Sequence, residues 1–193
     1  ERLTPPDVPG KVWLVGQDAL SAADTSSTSF AAYAAGGGRV LLLEQEHPLR
    51  YQGLGPAEVE FQTNVGRTAF AEDVSHPLLQ GLQDKDFFTW EPGEVVYKNA
   101  YLKPQRGARS LVQCNESLLN SALLTIPVND GLVTLCQLVV GQKLADNPTA
   151  QTLLLNALDY SAAYKLEFLK TAAAVEPALG KVLDSINLQY APA

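Results

Sequence analysis

The 193-residue sequence predicts one α/β domain whose sheet begins with parallel strands and ends mixed or antiparallel. Three observations predict it. Two compact apolar runs, Lys11–Gly16 and Arg39–Gln45, flank a helical segment, giving strand, helix and strand within about 35 residues, the spacing of a parallel crossover unit. From Glu94 onward four strand-like runs follow in quick order, joined by hairpins or short crossovers. A helix then starts at Asn147-Pro148, with Asn as cap and Pro at the first helical position.

The elements follow in chain order. Lys11-Val12-Trp13-Leu14-Val15-Gly16 reads as a buried strand, with Val12–Val15 and Val40–Leu43 expected side by side and parallel at the sheet centre. Ser26 or Ser27 is expected to cap a short helix through Phe30, Tyr33 and Ala34, stopped by Gly36-Gly37-Gly38. Short strands are expected at Val59–Phe61 and Arg67–Phe70, around Asn64-Val65-Gly66. His76-Pro77 opens a helical turn that ends at Gly81, and Asp84–Trp90 forms another turn or two. The late strands are Val95–Leu102, Ala108–Cys114, Ala122–Pro127 and Leu132–Val140. In the last long helix Leu154, Leu155, Leu158 and Ala162 form the expected inward stripe. Apolar residues at Val175, Leu179, Val182 and Ile186 predict a further amphipathic helix. Residues 1–10, with Pro5, Pro6 and Pro9, read as the stub of a linker from a longer protein; residues 11–165 form the domain, and residues 166–193 a helical extension.

Composition narrows the function classes. Fourteen Lys and Arg against 21 Asp and Glu give a net charge of −7, which argues against a nucleic-acid binder because phosphate affinity needs a basic face. No apolar run approaches the roughly 20 residues of a membrane span. Cys114 and Cys136 lie in apolar runs without metal-ligand spacing, as buried free thiols or, in an oxidising compartment, as a disulfide.

Chemistry-bearing motifs are sparse. His47 and His76 each precede Pro and have no second ligand at metal spacing, so no metal site is expected. Neither a nucleophile elbow nor a glycine-rich phosphate loop is present, and no cofactor is expected. Glu44 with Glu46, Glu58 with Glu60 and Asp84 with Asp86 are near pairs of carboxylates, and nothing singles one out. The segment Tyr97–Arg109 carries Lys98, Lys103, Arg106 and Arg109 and no acid. It is either a docking surface for an acidic partner or anion, or a hairpin with solvated cations.

The motifs V-W-L-V-G-Q, G-G-G-R-V-L-L-L-E-Q, H-P-L-L-Q-G-L with D-F-F-T-W, and G-L-V-T-L-C-Q-L resemble class I glutamine-amidotransferase-like domains over roughly Lys11 to Tyr164. The chain is similar in particular to non-catalytic members attached to glycoside hydrolases, such as the β-galactosidase trimerisation domain, and to ThuA-like domains. The resemblance implies a three-layer flavodoxin-like fold with any site at the strands' C-terminal ends. Those ends carry Gln17, Asp18, Glu44, Gln45, Asn115 and Glu116, a set of amides and carboxylates suited to a hydroxyl-rich, sugar-like ligand, or ordinary polar loop residues. Active members carry a late Q-F-H-P-E segment; here Gln137-Leu138-Val139-Val140-Gly141 has Val139 in place of His and Gly141 in place of Glu. With no base, Cys114 and Ser121 keep their weak native nucleophilicity. The resemblance thus implies a non-catalytic module of a larger, extracytoplasmic, carbohydrate-processing protein, partnered by that protein's other domains or by copies of itself. A glycoside hydrolase using carboxylates at the strand ends, and a sugar sensor in the vacated cleft, are the alternatives.

Overall fold

The computed structural model describes residues 3–6, 11–50 and 59–165, so the helix expected from Val175 lies outside the described residues. The elements are β1 (Val12–Val15), α1 (Ser29–Ala35), β2 (Arg39–Leu42), β3 (Val65–Gly66), β4 (Ala69–Ala71), β5 (Tyr97–Lys98), β6 (Tyr101–Leu102), β7 (Arg109–Cys114), β8 (Asn120–Val128), β9 (Gly131–Cys136), α2 (Val140–Lys143) and α3 (Pro148–Ala163). The main sheet has the order β1-β2-β9-β8-β7-β4, with β6 also paired to β8. β1, β2 and β9 are mutually parallel, whereas β8 runs antiparallel to β9 and to β7, and β4 runs antiparallel to β7. The parallel start and antiparallel finish agree with the sequence pattern.

Each face of the sheet has its own core. On one, Trp13, Val15, Val40, Leu42, Leu124, Ile126, Val133 and Leu135 pack with Phe30 and Ala34 of α1. On the other, Leu41, Leu43, Leu123 and Cys136 pack with Leu153 and Ala157 of α3, with Leu78, Leu79 and Phe87 from two 3-10 turns, and with Trp90 just beyond the second turn. Gly131 must be glycine because a Cβ there would lie 2.0 Å from the Ala34 carbonyl oxygen, where the start of β9 passes against the end of α1.

Several expectations need correction. β1 lies at the end of the strand order rather than at the centre, and β2 has β9 as its second neighbour. Leu14 is accordingly 43% exposed, while Trp13 and Val15 are buried beneath α1. Ser26 belongs to a 3-10 turn, Ala22–Ser26, and the residue at the N-cap of α1 is Thr28; the Ser27 hydroxyl accepts from the Ser29 amide instead. Val65–Gly66 is itself a strand, paired with Tyr97–Lys98, because Gly66 leaves room for the Tyr97 ring. The run Val95–Leu102 breaks into β5 and β6 at Asn99, whose φ is 51°.

The cap of α3 is as expected: Asn147 Oδ1 accepts from the Ala150 amide at 3.0 Å, with Pro148 next. The buried stripe, however, is Ala150, Leu153, Ala157 and Ser161. Leu154 and Leu158 lie at its margin, and Leu155 points outward at 63% exposure. Three of the four buried residues are small, which suits close packing of the helix on the sheet. Both cysteines are free and buried, which settles the thiol state left open by the sequence.

Candidate functional site

β7 is antiparallel to β8, which is antiparallel to β9, so the C-terminal ends of β1, β2, β9 and β7 share one end of the sheet. Four of the six ligand-binding candidates converge there. The Asp18 amide donates to the Glu44 carbonyl at 2.9 Å, and Asp18 Oδ1 accepts from the Glu46 amide at 2.7 Å. Gln17 Nε2 donates to Asp18 Oδ2 at 3.2 Å. Gln45 Nε2 donates to the carbonyls of Gly16 and Leu43, and its Oε1 accepts from the Leu20 amide at 2.8 Å.

Glu44 is the most constrained of these residues, at 2% exposure. Its two carboxylate oxygens accept from the Gly141 amide at 3.0 Å and the Gln142 amide at 2.7 Å, at the start of α2. Burial raises its pKa above the ordinary value, against the pull of these two amides, and the nearby Asp18 charge adds to the rise. Gly141 is a close approach: a Cβ there would lie 2.8 Å from Gln17 Cβ and 3.2 Å from Glu44 Oε1.

Residues not singled out as ligands from the sequence complete this cluster. Gln137, the residue after β9, accepts from the Gln45 amide at 3.1 Å and donates to the Lys98 carbonyl at 2.9 Å. Asn99 Nδ2 donates to the Gln45 carbonyl at 3.1 Å. In the sequence Gln137 draws notice only through the resemblance, as a residue that could match the late Gln of that pattern; Asn99 sits in a left-handed turn that no local pattern announced. Asn115 and Glu116 lie elsewhere along the same sheet end, beyond β8. The Asn115 amide donates to the Tyr97 hydroxyl at 3.1 Å, its side chain donates to Asn120 Oδ1 at 3.1 Å, and its Oδ1 accepts from the Glu116 amide.

The basic segment is more neutralised than its sequence suggests. Lys103 pairs with Glu72 at 3.1 Å and also donates to Gln113, while Arg109 pairs with Asp73. Lys98 Nζ donates to Gln142 Oε1 at 3.0 Å, which places it beside the Glu44 cluster, and Arg106 is exposed.

Nucleophilic chemistry has little support from these surroundings. Burial pushes the Cys114 thiol up to about 12, despite its contact with the Tyr97 hydroxyl. Burial also pushes the Cys136 thiol well up. His76 is buried at the head of a 3-10 turn, where Nδ1 accepts from the Leu78 amide at 3.2 Å, and its ring meets the edge of Tyr160. Val139, just after β9, is fully buried. Among the described residues no group of three or more His, Cys, Asp or Glu side chains could hold a metal ion, and no helix is long and apolar enough to cross a membrane.

No family model matches the sequence, and no curated protein matches it. Among solved structures the chain is similar to the cytoplasmic protein STM3548 from Salmonella typhimurium, with a TM-score of 0.50 and 15% identity, over 78% of this chain and 71% of that one. At that identity the likeness concerns the mixed α/β fold alone.

Proposed function

We propose that the chain is a non-catalytic, amidotransferase-like module of a larger carbohydrate-processing protein, serving association or the binding of a hydroxyl-rich ligand. One observation carries this reading: the most buried polar groups at the strand ends are already committed to the protein's own backbone. Both oxygens of Glu44 and the whole amide of Gln45 are used in this way. Gln17, Asp18, Lys98 and Gln142 remain at the surface above them, with donors and acceptors for hydroxyl groups and no base or activated nucleophile. The parallel strands with helices packed against both faces support a three-layer, flavodoxin-like relationship, although β1 at the end of the strand order departs from it.

The test is a titration with simple mono- and disaccharides followed by amide chemical shifts. Shifts at Gln17, Asp18 and Gln142 are the expected outcome. Shifts confined to Lys98–Arg109 would move the reading to partner docking through the basic segment. Ammonia release from glutamine, abolished by Cys114→Ala, would overturn the non-catalytic assignment.

A second reading has one observation in its favour. Glu44 and Asp18 bring two carboxylates together at the strand ends, and burial raises the Glu44 pKa, with the Asp18 charge adding to the rise. Turnover of aryl glycosides, lost in both Glu44→Gln and Asp18→Asn, would establish it.

A further inference from the structure

We infer that the outer edge of β1 is an interface at which a second copy of this chain docks, the two β1 strands running antiparallel about a two-fold axis. This rests on the association half of the proposed function and does not depend on sugar binding. The two ends of the main sheet differ. At one end β4 is closed off: the Ala71 amide donates to Asp84 Oδ1 at 2.8 Å, and Thr68 is bridged by Phe88. At the other end β1 has β2 on one side and, among the described residues, no strand on the other. The Lys11 and Val15 carbonyls accept from the Arg39 and Leu43 amides, so by alternation the backbone groups of Val12 and Leu14 face away from β2. Natural sheet edges are blunted by charge, proline or a bulge, and Val12-Trp13-Leu14-Val15 has none of these.

The side chains continue this edge as an apolar face. Leu14 lies on the same side of the strand as Val12, which packs into the core beneath α3, and it is exposed. α3 packs on β1 and β2. Asn156 donates to the Leu78 and Gln80 carbonyls and Tyr160 meets His76, so that flank of α3 faces the turn Pro77–Leu79. Leu154 and Leu158 are each two residues from Asn156, about 200° around the helix, and so lie on the opposite flank, toward β1. Leu155, beside them, is exposed.

Charge selects the occupant. The chain carries a net charge of −7, yet β1 and these three leucines carry none. The strand is bounded by Lys11 before it and Asp18 after it, both exposed and neither in an ion pair among the described residues. An antiparallel second copy lays Val12 and Leu14 of one chain against Leu14 and Val12 of the other, where their outward N–H and C=O groups pair. It also brings the Lys11 end of each strand beside the Asp18 end of the other. A parallel copy would set like charges side by side. A uniformly acidic or basic partner finds no complement in this pattern.

Sedimentation of the full chain across the micromolar range tests the inference. A concentration-dependent rise to twice the chain mass is expected. Leu14→Lys should abolish the dimer, and should leave the urea midpoint unchanged at concentrations where the wild type is monomeric. Val74→Lys, at an exposed apolar position elsewhere, should leave the dimer intact. Lys11→Glu should weaken dimerisation by about tenfold at low salt and by less at high salt. A chain that is monomeric throughout, or a dimer indifferent to Leu14→Lys, overturns the inference. So does a monomer whose urea midpoint falls with Leu14→Lys, because the edge is then covered by the chain's own residues. A monomer that binds sugar refutes this docking surface alone, whereas a dimer that binds none refutes only the ligand half of the proposed function.

Discussion

The Glu44 cluster and the Glu72–Asp73–Lys103–Arg109 patch are both polar, yet they handle charge in opposite ways. In the patch, carboxylates at the end of β4 meet cations on solvent-accessible side chains, and each ion pair is partly screened by water. In the cluster, a carboxylate at 2% exposure meets no cation in an ion pair among the described residues, and backbone amides hold it instead. The patch is thus tolerant surface, whereas the cluster ties β1, β2, β9 and α2 together. Density of charge in a sequence is a poor guide to structural importance; the environment of one buried carboxylate outweighs the two solvent-accessible ion pairs of the patch.

Removing the cluster's centre should have the largest effect. Glu44→Ala leaves the Gly141 and Gln142 amides without their acceptor and should cost about 2–4 kcal/mol in urea unfolding. A loss no larger than that of a surface variant would erase the contrast between the two regions. Gly141→Ala comes next, at about 1–3 kcal/mol, because the new methyl group meets Gln17 and Glu44. Pairing it with Gln17→Ala should recover part of the loss. Lys103→Ala, in the patch, should cost only about 0.2–1 kcal/mol and less at high salt.

The pH dependence sharpens the comparison further. Glu44 has a raised pKa in the fold, so its ionisation opposes folding: its contribution is fully present below its unfolded value near 4.5 and is lost as pH rises through the folded value. Relative to Glu44→Gln, the wild type should therefore lose stability as pH climbs out of the acid range, a difference measurable by unfolding midpoints from pH 4 upward. His76 titrates with the opposite consequence. Burial, aided by the Arg109 charge and opposed by Asp73, lowers its pKa below 6.5, so the fold loses stability as pH falls from about 6.5 toward the folded value. His76→Asn retains a side-chain acceptor for the Leu78 amide and should flatten that acid limb, the smallest of these effects.

Local sequence determined the pieces whose signals are local. The crossover from β1 through α1 to β2, the stop at Gly36, the antiparallel run of β7, β8 and β9, and the start of α3 at Asn147-Pro148 all depend on neighbours a few residues away. Four of the candidate ligand residues came together for the same reason: they end strands that the apolar runs already marked. The tertiary structure alone decided that β9 inserts beside β2, which leaves β1 at the end of the order and Leu14 exposed. It also decided that α3 turns its small residues inward, and that Gln137 and Asn99 close around Gln45. Strand order and helix rotation are set by which surfaces bury most completely across 90 or so residues of intervening chain, and no window of local periodicity contains that comparison.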